Sequence, residues 1–491
     1  MNAKRPFSQA LWDQTPVAVQ NYIEALEARV AALEGSVQRL EAAVQHLTEH
    51  VQQNSRNSSR PPSSDPPQTS GKRSPREPSG RRPGGQPGHE GHARVLVPVD
   101  EVDVVVPIKP VRCRRCQHPL QGEDPQPQRQ QVTEIPPVKP VVTEYQLHRL
   151  VCPACGETTR AELPPGVPTG GFGPRLQATT ALCTGAYHLS KRTTQVLLGD
   201  FFGVEMGLGT ISNLEQATTQ AVAEPVAEAR AYVHSQPVAY ADETGWREGH
   251  QRAWLWAAVT EWVTVFVVRR SRSAKVAQEL LGERFWGWLV TDRWSAYTWY
   301  PSWRRQLCWA HLLRDIEAMI ARGGRSAEVG EALRVAARQM FHWWHRVRDG
   351  TLTHASFRTY MQPIRREVER LLEAGQCCGV PKTEGTCREI CKLRQALWTF
   401  VRHEGVEPTN NAAERAIRPG VLWRKGSFGT QSAEGSRFVE AMMTVVATLK
   451  QQHRNVLEYL TAACQAALCG EAAPSLLPTL AEIDQFVRPA A

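Results

Sequence analysis

The sequence predicts a multidomain protein: a long N-terminal coiled-coil helix, a tether, a cysteine-bearing ribbon and a helical segment lead into an α/β domain that carries a helical insertion. Three observations support this reading. Residues 19–51 keep an unbroken 4-3 apolar repeat; two C-x-x-C pairs lie between residues 113 and 155; and from residue 236 the texture changes to strands at hairpin spacing. A chain of 491 residues should hold two to four domains, with ample length to bury a core. Its net charge of +9 and pI near 9 favour a polyanionic partner, nucleic acid first. The first twenty residues contain no apolar signal region and no apolar run approaches a membrane span, so a soluble cytoplasmic protein is expected.

In the coiled coil (16–53), Ile23, Val30, Val37, Val44 and Val51 fall at one heptad position and Val19, Leu26, Leu33, Leu40 and Leu47 at the other. β-Branched residues at a with leucine at d favour a two-stranded parallel pairing, hence a homodimer or higher assembly. Residues 54–94, opening "NSRNSSRPPSSDPP", are dense in Pro, Ser, Gly and Arg. Such a composition buries too little apolar surface to fold and reads as a disordered basic linker.

Scattered at random, the 12 cysteines would give only about 0.3 C-x-x-C pairs. Two occur, "CRRC" (Cys113, Cys116) and "CPAC" (Cys152, Cys155), bracketing a stretch whose sequence predicts strands. Four thiolates complete a tetrahedral zinc shell, so residues 95–165 are expected to be a zinc ribbon holding one structural Zn²⁺. Redox activity is the alternative, but two separated pairs favour a closed structural site. Arg112, Arg114, Arg115 and Arg149 give this module a basic surface suited to phosphates.

Residues 166–235 read as helices. "SKRTTQVLLGDFFG" followed by "GTISNLEQATTQAV", opened by Thr210 or Ser212, resembles a helix-turn-helix, and a plain helical subdomain fits the same pattern. In residues 236–450, "PVAYADETGWR", "RAWLWAAVT" and "VTVFVVRR" predict three antiparallel strands, "SAKVAQELLG" a helix, and "GWLVTDRWSAY" a returning strand. This order resembles the start of a ribonuclease-H-like domain.

Asp242 lies in the first of these strands and Asp292 ends the fourth. Asp242 and Glu243 must point to opposite faces, and alternation alone does not say which faces inward. In "EPTNNAAERAIRPG", Asn410 or Asn411 can cap a helix whose first turn carries Glu414, with Ala412 and Ala413 small enough for close approach to a sheet. Two aspartates on strands and a glutamate on a helix can hold two Mg²⁺ (or Mn²⁺) ions through oxygen ligands. Arg415, Arg418, Arg424 and Lys425 then stand where phosphates would pass.

With these residues in view, "YADETGW", "VTDRWSAY", "CWAHLLRDI" and "NNAAERAIRPG…RKGSFGT" resemble the bacterial DDE transposases of insertion-sequence family sixty-six. The zipper, the "NSSRPPSSD" tether with "GGQPGHEGH" and the paired C-x-x-C motifs follow that family's order, so the likeness covers nearly the whole chain. It implies that Asp242, Asp292 and Glu414 are the catalytic triad, Asp242 being preferred over Glu243 on the motif. It also implies that the protein binds the terminal inverted repeats of its element, cuts the strand and joins the ends to target DNA. Accessory proteins of the same element are then further candidate partners. Two rival readings are a domesticated DNA-binding protein without catalysis and a structure-specific nuclease on the same fold.

A helical insertion is expected over about 315–405. Cys308 and His311, three apart on a helix, are possible auxiliary residues; a second metal site with Cys377, Cys378, Cys387 or Cys391 competes with simple packing. Trp246 and Trp294 suit either core packing or stacking on unpaired bases. Residues 451–491 are expected to form a helical tail.

Overall fold

The computed structural model describes residues 9–54 and 95–479, so all but the first residue of the expected linker lies outside the described residues. A short helix α1 (Gln9–Asp13) folds back on α2 (Val17–Gln52), where the Gln20 side chain donates to the Trp12 carbonyl at 2.6 Å. The heptad stripe on α2 stays uncovered: Leu26, Val30, Leu33, Val37 and Leu40 are all exposed.

The cysteine module has far less strand than its sequence predicts. Its regular pairing is one antiparallel hairpin, β1 (Arg149–Val151) with β2 (Thr158–Arg160), and the valine-rich run before it stays irregular. Those valines find no partner strand: Val138, Val141 and Val142 are exposed, and an apolar alternation without a covering layer does not fix a ladder.

Four helices follow: α3 (Pro174–Gly185), α4 (Lys191–Phe202), α5 (Leu208–Ala221) and α6 (Ala223–His234). Ser190 caps α4 by accepting from the Thr193 N–H, and Gly203 ends it at φ 64°. The second helix of this pair starts at Leu208, ahead of the expected Thr210 or Ser212, because Gly207 takes the N-cap position.

The central sheet has five strands in the order β5-β4-β3-β6-β7. β3 (Val238–Glu248), β4 (Gln251–Val259) and β5 (Thr264–Arg269) form an antiparallel meander; α7 (Ala274–Leu281) then returns the chain to β6 (Trp288–Thr291), parallel to β3. The fifth strand, β7 (Arg305–Leu307), has no counterpart among the expected elements. It is short and polar yet wholly buried, with most of its polar groups paired, Arg305 Nε alone among them lacking a partner among the described residues. Arg305 donates to the Asp292 carbonyl, Gln306 accepts from the Phe400 N–H, and the Thr399 hydroxyl donates to the Arg305 carbonyl.

Side-chain alternation divides the strands between two layers. Ala239, Ala241, Trp256, Ala258, Val265, Val267 and Leu289 share a core with α3, α6, α7 and α15 (Val456–Cys469). The tail helix α15 therefore closes the same core as the helical segment rather than standing apart. Leu255, Ala257, Phe266 and Val268 face α13 (Asn411–Ser427), while Val290 and Leu307 face α8 (Trp309–Ala321). Behind α8 stand the helices α9 (Gly324–Arg348), α10 (His354–Gly375), α11 (Pro381–Lys392) and α12 (Thr399–Arg402).

Helix α14 (Ala433–Gln451) runs along β5 and bonds to it like a neighbouring strand. The N–H groups of Thr264, Phe266 and Val268 donate to Thr448 Oγ1, Thr444 Oγ1 and Glu440 Oε1 at 3.1, 3.0 and 2.7 Å. Two strand residues advance about 6.6 Å and four helical residues about 6.0 Å, so the i, i+4 rhythm of the helix meets the i, i+2 rhythm of the edge. Among the described residues no helix is long and apolar enough to cross a membrane.

Candidate active site

The parallel pairing of β3 and β6 brings two aspartates together. Tyr240 sits opposite Val290, and Asp242 and Asp292 each follow two residues later on the same face. Beyond Thr291, the Asp292 backbone is held by Arg305, which donates to its carbonyl at 3.1 Å, and its Oδ1 accepts the Trp294 N–H at 2.8 Å. Glu414 enters from above on the first turn of α13, where the helix N-terminus favours a negative charge. Burial, then the neighbouring charges of Glu243, Asp292 and Glu414, push the Asp242 carboxyl well above its ordinary range. The three acids read from the sequence thus share one electrostatic site.

Glu243 occupies the opposite face and is fully engaged there. Arg272 pairs with it at 2.6 Å and the Tyr297 hydroxyl donates to it at 2.7 Å. Strand alternation left these two acids undecided; the packing separates them.

The helix bearing Glu414 is fixed by Asn410, in a way its sequence context does not suggest. Asn410 occupies the N-cap position but caps nothing with its side chain. Its Nδ2 donates to the Ala241 carbonyl at 2.8 Å, and its N–H donates to Cys308 Sγ at 3.1 Å. This fully buried asparagine ties the start of α13 to the residue before Asp242 and to the start of α8. Further along, Ala413 is buried and Gly420 makes the closest approach: a Cβ there would stand 2.3 Å from Leu255 Cδ2.

Cys308 and His311, at the start of α8, reach the same place. Ligand atoms of Cys308, His311 and Glu414 lie within 4.8 Å of one another, and His311 Nδ1 is 3.5 Å from Glu414 Oε1. Burial pushes the Cys308 thiol up to about 11. Three buried polar atoms here, His311 Nδ1, Asn410 Oδ1 and Glu414 Oε1, have no hydrogen-bond partner among the described residues. Buried lone pairs without donors beside two further carboxylates fit divalent cations, which supply the missing positive charge. Cys377, Cys378, Cys387 and Cys391 do not join this group: they lie at the α10–α11 end, where Cys391 and Cys378 help burial raise the Cys387 thiol to about 12.

The expected phosphate-binding residues separate into two sets. Arg415 and Arg418 lie exposed on α13, and Arg424 and Lys425 line a groove of about 910 Å³ whose wall includes Trp294, two residues after Asp292. Arg424 donates to the Gly245 carbonyl. Trp246 is core, 2% exposed and edge-on to Trp423, whereas Trp294 is partly exposed with the Arg272 guanidinium 3.8 Å above its ring.

In the cysteine module, both C-x-x-C pairs adopt one knuckle geometry. The Gln117 and Gly156 N–H groups donate back to the Cys113 and Cys152 carbonyls, and both residues have positive φ. Backbone N–H groups of Cys116 and Arg115 lower the Cys113 thiol, and those of Cys155 and Ala154 lower Cys152. The two pairs do not converge: no three of their sulfurs form a compact ligand group. Arg112, Arg114, Arg115 and Arg149 surround them, all exposed.

The profile of the Transposase IS66 family matches residues 169–437, more than half of the chain and all of the sheet described above. The chain belongs to the IS66 transposase family. Residues 13–95 match a second profile, a family of unknown function (DUF6444). A protein of Sinorhizobium fredii named "Uncharacterized protein y4qI" is 27% identical over 237 residues, an alignment covering 43% of this chain and 43% of that protein.

Proposed function

We propose that this protein is a DNA transposase that binds the inverted repeats of its element, cleaves a strand and transfers the freed end into target DNA. The observation that carries this reading is the meeting of Asp242, Asp292 and Glu414 on one face of the sheet. The strand order, an antiparallel meander followed by two parallel strands, supports a ribonuclease-H-like core.

Asp242, Asp292 and Glu414 would hold two Mg²⁺ (or Mn²⁺) ions. Bound there, such ions supply Lewis-acid activation of an oxygen nucleophile and charge relief for the leaving oxygen. The chain's own contribution is placement. Asn410 and Gly420 set the height of Glu414 over the sheet, and Arg305 and the Trp294 N–H fix Asp292. Arg415, Arg418, Arg424 and Lys425 supply positive charge for the phosphates on either side. The bare heptad stripe of α2 would join two copies, one for each element end; one structural Zn²⁺ on Cys113, Cys116, Cys152 and Cys155 would require the two knuckles to close on each other.

The test is strand transfer on a labelled duplex ending in the element's inverted repeat, with Mg²⁺ or EDTA, beside Glu414→Gln. Metal-dependent joined products that vanish in the variant are expected. Cleavage without joining would favour a structure-specific nuclease, and tight binding with neither would favour a DNA-binding protein without catalysis.

A further inference from the structure

The groove beside the carboxylates has a chemistry of its own. Arg247, Arg252, Arg424 and Lys425 line it together with Trp294 and Phe428; Arg272, which also lines it, is engaged by Glu243 and covers one face of the Trp294 ring, and none of the lining residues is acidic. The groove borders the candidate active site: Trp294, on its wall, donates its N–H to Asp292, and Arg424 bonds Gly245, three residues beyond Asp242.

Phe428 is the unusual member. It is 77% exposed and closes α13 as a left-handed C-cap with φ 62°, its N–H donating to the Arg424 carbonyl at 2.7 Å, a position where glycine is the usual residue. The cap needs only the backbone, and packing gains little from an exposed ring, so the fold does not account for an aromatic side chain there. The backbone that carries the ring is held in place. Gly429 follows it so closely that a Cβ would stand 2.3 Å from the Arg247 carbonyl oxygen. The Thr430 N–H then donates to that same carbonyl, and the Gly249 N–H to the Thr430 carbonyl.

We propose that this groove receives an unpaired nucleotide of the DNA at the cleavage point, its base stacking against Phe428 and Trp294 and its phosphates resting on the four cations. The inference rests on the DNA-transposase reading and adds the substrate form. A paired base offers no free face to an aromatic side chain, whereas an extruded or single-stranded one does. A volume of about 910 Å³ admits a nucleotide, and cations around exposed rings are the pattern of single-strand recognition rather than of an apolar small-molecule pocket.

The full-length protein can be tested with two synthetic duplexes, one blunt and one with a four-nucleotide single-stranded overhang carrying 2-aminopurine at the junction. Fluorescence anisotropy would read affinity, and 2-aminopurine emission would read stacking. The overhang duplex is expected to bind roughly tenfold more tightly than the blunt one and to show quenched emission. Phe428→Gly, which relieves the backbone strain and so preserves folding, should abolish both preference and quenching, with blunt-duplex affinity within twofold of wild type. Phe428→Tyr should retain both. Equal affinity for the two duplexes with unquenched emission in the wild type, or an unchanged preference in Phe428→Gly, would overturn the groove assignment while leaving the transposase reading intact. Failure to bind either duplex would overturn both.

Discussion

His311 Nδ1 lies 3.5 Å from Glu414 Oε1, and neither atom has a hydrogen-bond partner among the described residues. An imidazole placed in this way either completes the ion-binding group or orients its glutamate. His311→Ala is therefore expected to lower strand cleavage by roughly 10–100-fold, the range typical of groups that support metal ligands. Mn²⁺ affinity measured by calorimetry should fall with it, while DNA affinity stays unchanged. A drop in melting temperature with Mn²⁺ binding intact would assign His311 to packing alone.

Gly420 lets α13 settle onto β4. Gly420→Ala places a methyl group against Leu255 and Met443, and overpacking of this kind costs about 1–3 kcal/mol. Because the same helix carries Glu414, cleavage should fall further than the loss measured by chemical denaturation accounts for.

The hydroxyl of Thr444 satisfies the Phe266 N–H at the buried edge of the sheet. Thr444→Val keeps the shape and removes the acceptor, which should cost about 1–3 kcal/mol in urea unfolding. Thr444→Ser should cost much less, since the hydroxyl remains. Similar losses in both variants would mean that the methyl group, not the hydrogen bond, matters.

Glu248 joins the end of β3 to α14. The Ser436 hydroxyl first, and then Arg270, hold its carboxyl below the usual range. A carboxyl more acidic in the folded state contributes stability above its unfolded pKa and loses it as pH falls through the folded value. Glu248→Gln is expected to be less stable than wild type by about 1 kcal/mol at pH 7. The two unfolding curves should converge below about pH 4, the ordinary range for a free glutamate.

Leu26, Leu33 and Leu40 are exposed on α2 in a single chain. Leu33→Lys with Leu40→Lys should convert a dimer to a monomer in light scattering. If the wild type is already monomeric at micromolar concentration, the stripe pairs with something other than a second copy.

Much of this architecture was legible in the sequence, and the exceptions share a cause. The meander and α7 could be read because alternation and turn residues are local signals. Asp242, Asp292 and Glu414 stood out through a motif resemblance, not through composition. β7 was invisible because Arg305 and Gln306 look like surface residues until Thr291, Thr399 and Phe400 surround them. Asn410 reads as a cap because asparagine is a good one; its real partners, Ala241 and Cys308, are more than a hundred residues away in sequence. The role of Phe428 was hidden for another reason, since a backbone angle leaves no trace in the letters "KGSFGT".

The match to the IS66 family stops at residue 437, one turn into α14, whereas Glu440, Thr444 and Thr448 lie beyond it. A fragment trimmed to that boundary would keep every catalytic candidate and lose the three acceptors that occupy β5. Its open flank would offer three unclaimed donors to a strand of another molecule, and sheets would grow from chain to chain. Such a fragment should precipitate when expressed, and its failure would say nothing about the chemistry of the acids it carries.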